Sequence, residues 1–391
     1  VDISKSRRYA AAIVLATLMI SACSSDNNSS STSDTTTDQE PTNIETDLSE
    51  VCPSEVGIQT DWNPQAEHGF LYQMLSEDYE IDSSSLSVSG PLQIGGNDTG
   101  VSLRIYAGGP AIGFEPVISR LYSKPEILLT FMSTDIAIAN SADKPTVAVI
   151  APFNINPQII MWDPETYPEV ESITDLKTSN VRVLYFRNVA YMRYLVGAGI
   201  LSESQVEDSY DGFPEQFITA NGTVAQQGFG TNEPYFYENK LDKWLKPVRY
   251  QYLYELGWTP YAQTLATTPE RKIEFDLCLR LLVPIIQQAQ VDYISDPTRA
   301  NNVIVETVNQ FGSGSSYDID QATDSAAKQV ADGLVANSPD GTLGSFDFDR
   351  LTKFLEIAIP IYKDRGDSVL NGLVATDLAT NEYINPSISL R

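Results

Sequence analysis

The stretch 58–72, IQTDWNPQAEHGFLY, gathers Asp61, Trp62, Asn63, Gln65, Glu67 and the chain's single histidine, His68, into a few residues. An indole can stack on a planar heterocycle. A carboxylate can accept from a ring nitrogen or an exocyclic amine, and an imidazole can hydrogen-bond a ligand in either direction. The apolar and polar residues of 58–62 read as a buried strand that Asn63–Pro64 breaks. Pro64 suits a first helical turn, where its missing N–H is not needed. A strand handing over to a helix N-terminus leaves backbone N–H groups free for polar ligand atoms. The same residues also have plainer uses: Trp62 as core, Glu67 as a favourable charge in a first helical turn, His68 as a cap.

The flanking sequence alternates short β-like runs with helical ones. Strands are expected near 103–106, 127–139, 146–152, 181–185 and 248–253. Helices are expected near 116–122, 191–196, 269–290, 300–310, 322–334 and 351–363, with Pro284 kinking or splitting the first long one. This βαβ rhythm predicts an α/β protein with mostly parallel sheets and flanking helices.

The start of the chain reads as an export signal. Lys5, Arg7 and Arg8 precede a short apolar run that ends in Leu-Met-Ile-Ser-Ala-Cys23, like a bacterial lipobox with Cys23 lipidated; a plain secretion signal and an uncleaved anchor are the other readings. Residues 24–50 are rich in Ser, Thr, Asn and Asp and almost free of large apolar side chains, as in a disordered tether. Export would place Cys52 and Cys278 where disulfides form, either as a bridge or as two separate buried thiols. The formal net charge of −27 argues against nucleic acid, which is bound by basic patches, and repels polyanions at long range.

Asp61, Trp62, Pro64, Glu67, His68 and Tyr72 match a D/N-W-x-P-x-x-E-H-x-G-x-Y pattern, with Gly69 one place early. This segment resembles the first motif of ABC-transporter substrate-binding proteins of the thiamine-pyrimidine-precursor branch, akin to the nitrate, sulfonate and taurine binders. Gly108–Gly109–Pro110, the run 146–161 with Asn156–Pro157–Gln158, QQGFGTNEPY at 226–235 and TNEYINPS at 380–387 resemble later family segments in the same order. The polar stretch 78–100 is longer than the family's connection and is expected to reshape one rim of the cleft.

The resemblance implies a two-lobed periplasmic-binding-protein-like fold of type II. It puts 51–151 with 263–391 in lobe one, 152–262 in lobe two, and a hinge at the crossovers near 152–158 and 260–264. Ligand would sit between the lobes. Its implied contacts are Trp62, Glu67, His68, Tyr72, Gly108 and Gly109 from lobe one, Phe153 and Asn156 on the crossover, and Phe186, Asn188, Tyr191 and Glu233 from lobe two. The two glycines serve equally as a tight turn, the crossover and lobe-two residues as core or turn, and Glu233 as a buried ion pair or cap. The implied ligand is a small heteroaromatic compound, a thiamine pyrimidine precursor or a flavin-like molecule, delivered to an ABC permease and its ATPase by a lipid-anchored, monomeric protein of the cell envelope. Arg104 and Arg187 keep a small anion (sulfonate, taurine or nitrate) open. An enzyme of pyrimidine synthesis and a surface scaffold are the remaining alternatives. With one His, no Cys–His pair, no GxSxG and no clustered metal ligands, neither catalysis, nor a cofactor, nor a metal is expected.

Overall fold

Two sheets organise the described residues. The computed structural model describes residues 46–312 and 316–391; Cys23 and most of the expected tether lie outside them. The first sheet has seven strands in the order β2-β3-β4-β1-β5-β12-β6, with β1 at Glu55–Gln59, β2 at Glu80–Asp82, β3 at Ser87–Ile94, β4 at Asn97–Tyr106, β5 at Ile127–Met132, β6 at Val147–Ile150 and β12 at Thr264–Thr267. The second has five strands in the order β11-β7-β10-β8-β9, with β7 at Gln158–Trp162, β8 at Arg182–Leu184, β9 at Val206–Glu207, β10 at Val224–Phe229 and β11 at Arg249–Tyr252. Each sheet supports one lobe of an α/β fold.

The strands are mixed in direction, not mostly parallel as the βαβ rhythm predicts. β1 runs parallel to β4 and β5, and β10 parallel to β8. The strand that receives the chain from the other lobe runs antiparallel to its neighbours: β7 against β10 and β11, and β12 against β5 and β6. A chain arriving from the cleft side has to run opposite to strands whose carboxyl ends point there. The carboxyl ends of β1, β8 and β10 therefore converge on the cleft, where open α/β sheets bind ligands. Helices cover the sheets because β1 and β5 are buried on both faces. Val56, Ile58, Leu103 and Leu129 pack with Phe70, Leu282 and Ile286 in the first lobe, and Ile159, Met161 and Leu184 pack with Phe217, Tyr237 and Trp244 in the second.

The chain crosses between sheets twice, after β6 and again before β12. Arg350, near the start of helix Phe348–Arg365, holds both crossings. Its guanidinium donates to the carbonyl of Asn154 on the first and to those of Thr259 and Pro260 on the second, the latter two at 3.0 and 3.1 Å. It also stacks on Tyr261, 4.0 Å from the ring centroid. Bonds from a charged donor contribute about 1.5–3 kcal/mol each in favourable settings. Truncation at this semi-open site, where water can replace part of the set, is expected to cost about 2–3 kcal/mol. Arg350→Met should lower the urea midpoint accordingly, and an unchanged midpoint would deny the clamp.

Three local expectations need correction. The run 127–139 is not one strand: β5 ends at Met132, and Thr134–Ala139 is a helix, begun by Ser133 with its hydroxyl on Asp135. Pro284 does not split its helix, which is continuous over Asp276–Ser295; the break falls before it, at Phe275. The stretch 78–100 builds the antiparallel β2–β3–β4 edge, turning at Gly95–Gly96, and none of its residues line the cleft cavities described below. Cys52 and Cys278 form a disulfide with Cα atoms 4.8 Å apart.

Candidate functional site

Two adjoining cavities of about 270 and 450 Å³ lie between the lobes. Trp62, just beyond β1, and Phe186, just beyond β8, stand near each other with ring centroids 6.3 Å apart and planes tilted by 58°. Tyr210 stands 4.8 Å from Phe186, and Phe114 meets the indole edge-on at 5.9 Å. Trp62 and Tyr210 line both cavities, Phe186 the smaller and Phe114 the larger, so each space is walled by rings from both lobes.

Backbone geometry fixes the indole. The Trp62 carbonyl accepts from the Gly108 amide and from the Thr60 hydroxyl, each at 2.9 Å. Gly109 sits at φ +54°, and a Cβ there would lie 2.6 Å from the indole. A Cβ on Gly108 would strike the Thr60 carbonyl at 2.1 Å. Both glycines thus let the strand ends close up beneath Trp62.

The polar groups are carboxylates and amides. Gln227, in β10, is 4 % exposed; its side-chain carbonyl accepts from the Tyr191 hydroxyl and from the Phe186 amide at 2.7 Å, so its N–H₂ is left to the smaller cavity. Gln65 is 8 % exposed, lines both cavities, and its side-chain amide has no hydrogen-bond partner among the described residues. Asp61 accepts from His68 Nε2 at 2.9 Å and from Gln263 Nε2 at 3.1 Å. That geometry selects the tautomer with the proton on Nε2. His68 is itself buried against Phe131 and positions Asp61 from behind.

Glu233 lines both cavities and accepts from the Phe229 amide at 2.6 Å. Burial pushes its carboxyl up to about 7 despite that bond, with the neighbouring charge of Glu67 adding to the rise. Glu67 is buried, accepts from the Thr231 hydroxyl of the other lobe, and is also raised by burial. Between the ordinary carboxylate range and pH 7 the folded protein then holds protons that the unfolded chain has lost. Stability falls as pH rises through that window and is highest below it. Glu233→Gln removes one of these groups. From pH 5 to pH 8 the unliganded wild type should therefore lose melting temperature relative to Glu233→Gln; parallel curves would refute the assignment.

Of the sequence-implied contacts, Trp62, Phe186 and Glu233 border the cavities directly. Glu67 and His68 stand behind the wall, and Gly108 and Gly109 beneath Trp62. Tyr191 is buried and reaches the site through Gln227. Tyr72 belongs to the first-lobe core, because it lies on the inward face of helix Gly69–Gln73. Phe153 packs with Leu334, Val335 and Leu343. Asn156 caps the entry to β7, accepting from the Gln158 amide. Asn188 is an exposed turn residue at φ +67°. Arg104 is paired with Glu55 and Arg187 with Asp208, and neither lines a cavity. Sequence reasoning passed over Tyr210 and Phe114 as lining residues, and named Gln65 in the polar stretch without assigning it a contact. Gln227 lay inside a quoted motif, but Tyr210 follows a two-residue strand with no pattern to mark it.

No family model matches the chain, and no curated protein matches it. Solved structures do. The periplasmic aliphatic sulphonate binding protein of Escherichia coli is 14 % identical, with 83 % of this chain and 91 % of that one covered at a TM-score of 0.53. The alkanesulfonate-binding protein of Xanthomonas axonopodis pv. citri, solved bound to MOPS, is 13 % identical, covering 84 % and 99 % at 0.51. A protein of Bordetella bronchiseptica RB50 is 14 % identical, covering 85 % and 96 % at 0.52. The chain has the two-lobed fold of the periplasmic binding proteins. Among the described residues no helix is long and apolar enough to cross a membrane.

Proposed function

We propose that this chain is the extracytoplasmic substrate-binding component of an ABC importer, which closes two lobes on a small heteroaromatic compound and delivers it to a permease. A thiamine pyrimidine precursor or a flavin-like molecule is the ligand type in view. One observation carries the reading: Trp62 and Phe186, at the carboxyl ends of strands in opposite lobes, wall the same cavity with Tyr210 beside them. Aromatic rings from both lobes suit a flat ligand, stacked on one ring and edge-on to another, and burying it between lobes lets closure report occupancy. The crossings held by Arg350 are the proposed hinge, with 51–151 and 263–391 moving against 152–262. Lipidation at Cys23 would keep the protein beside its permease as a monomer.

A sulfonate ligand is the second reading, favoured by what two of the similar structures bind. Such an anion wants Arg, Lys or bare N–H donors, and the cavity linings offer amides but no basic side chain among the described residues. A thermal-shift panel of pyrimidines, flavins, thiamine, sulfonates and nitrate tests both. A ligand at a hundred times its Kd adds about 2.7 kcal/mol. A shift with pyrimidines or flavins alone is the expected result. A shift with sulfonates alone would replace the heteroaromatic reading with the anion one.

A further inference from the structure

We infer that the cleft takes its ligand as a cation: a planar aromatic compound carrying a delocalised positive charge of the amidinium or aminopyridinium kind, its ring against Trp62 and Phe186 and its charge against Glu233. This deepens the functional reading above and rests on it.

The argument begins with the charges. Asp61 and Glu233 border the smaller cavity, and Asp211 the larger one. No Lys, Arg or His side chain lines either space among the described residues. Asp61 is partly exposed and held by His68 and Gln263, and Asp211 is exposed, but Glu233 carries the burial cost with no cationic side chain on the cavity wall, and a bound cation supplies that partner. Aromatic faces add to this, since their quadrupoles attract a cation within about 6 Å. The chain's net charge of −27 draws cations toward the cleft and turns anions away at long range.

The amides define the rest of the ligand. Gln227 has its carbonyl engaged by two donors and presents only N–H₂ to the cavity, so it calls for an acceptor such as a ring nitrogen. Gln65, at 8 % exposed and without a side-chain partner among the described residues, offers a further donor and acceptor from the opposite lobe. An acidic cluster alone would say little. Two nearly buried amides with open hydrogen-bonding capacity, facing the same space from both lobes, mark it as built for a polar, flat ligand.

Isosteric probes test the charge. Calorimetry on the purified protein would compare benzamidine, benzamide and benzenesulfonate, which share a ring and differ in charge. Benzamidine should bind about tenfold tighter than benzamide, with benzenesulfonate weakest. Glu233→Gln should pull the benzamidine-to-benzamide ratio toward unity; a ratio that survives this change overturns the role of Glu233. The wild-type comparison decides the ligand's charge even where the variant fails to fold. Benzamide or benzenesulfonate binding as tightly as benzamidine overturns the inference and leaves the aromatic cleft standing. No binding by any of the three removes both.

Discussion

Trp62→Ala should weaken binding of the cleft ligand by about a hundredfold or more, the size expected when a central aromatic anchor is truncated. The indole supplies the first lobe's stacking face and touches the second lobe's Phe186 across the cavity. Its loss would remove one wall of the ligand's enclosure and one of the contacts that bring the lobes together. Trp62→Phe keeps a ring in the same place and should lose much less, about tenfold. Fold stability should change little in either variant, because Trp62 is only partly buried and lies outside the main cores. Calorimetry with whichever compound of the panel binds, beside a melting curve, separates these effects. An alanine variant that melts normally and binds normally would remove the indole from the site.

How much of this was legible in the sequence depends on which force placed each residue. The α/β class and most strand positions follow from runs such as Thr-Val-Ala-Val-Ile-Ala-Pro at 146–152, where burial on both faces leaves a continuous apolar signature. Strand direction was not legible for β7 and β12. A strand's direction depends on where the chain enters the sheet, and composition does not record that. The helix Thr134–Ala139 was misread because Asp-Ile-Ala-Ile-Ala alternates as a strand does, while its start signal, Ser133, is a single residue. Within the site, Trp62, Phe186 and Glu233 could be found because each sits just past a strand end or inside a quoted motif. His68 and Glu67 were drawn to the ligand by their chemistry, yet both are fully covered, and their work is to orient Asp61 and to meet Thr231. Gln65 stood in the polar stretch after β1 but had no contact assigned to it, and Tyr210 carries no local signal at all. Their place in the wall arises only when the two sheets face each other.

Breaking the Cys52–Cys278 bridge should cost about 2–5 kcal/mol, the range for loss of a native disulfide. The bridge closes a sequence separation of 226, which spans the whole second sheet and both crossings. In the chain-entropy view a loop of that length restricts the unfolded state strongly, although the dependence on length is only logarithmic. Cys278 is fully buried in helix Asp276–Ser295 and Cys52 packs against the same core, so a thiol pair left behind also loses packing. Cys52→Ala with Cys278→Val, which refills part of that volume, should therefore recover some of the loss relative to reduction of the native pair. For a folded part of this size the expected fall in Tm is about 3–7 °C. Binding should respond differently. Cys52 lies just before the amino end of β1, whereas Asp61 and Trp62 follow its carboxyl end, so the strand separates bridge from cleft. Well below the lowered Tm, ligand affinity should stay within about twofold of wild type, since distant and unshared sites contribute nearly additively. Melting and calorimetry on the same reduced sample decide the matter. An unchanged Tm would deny the bridge its structural weight, and a large loss of affinity at low temperature would mean that the first lobe's far end is coupled to the cleft.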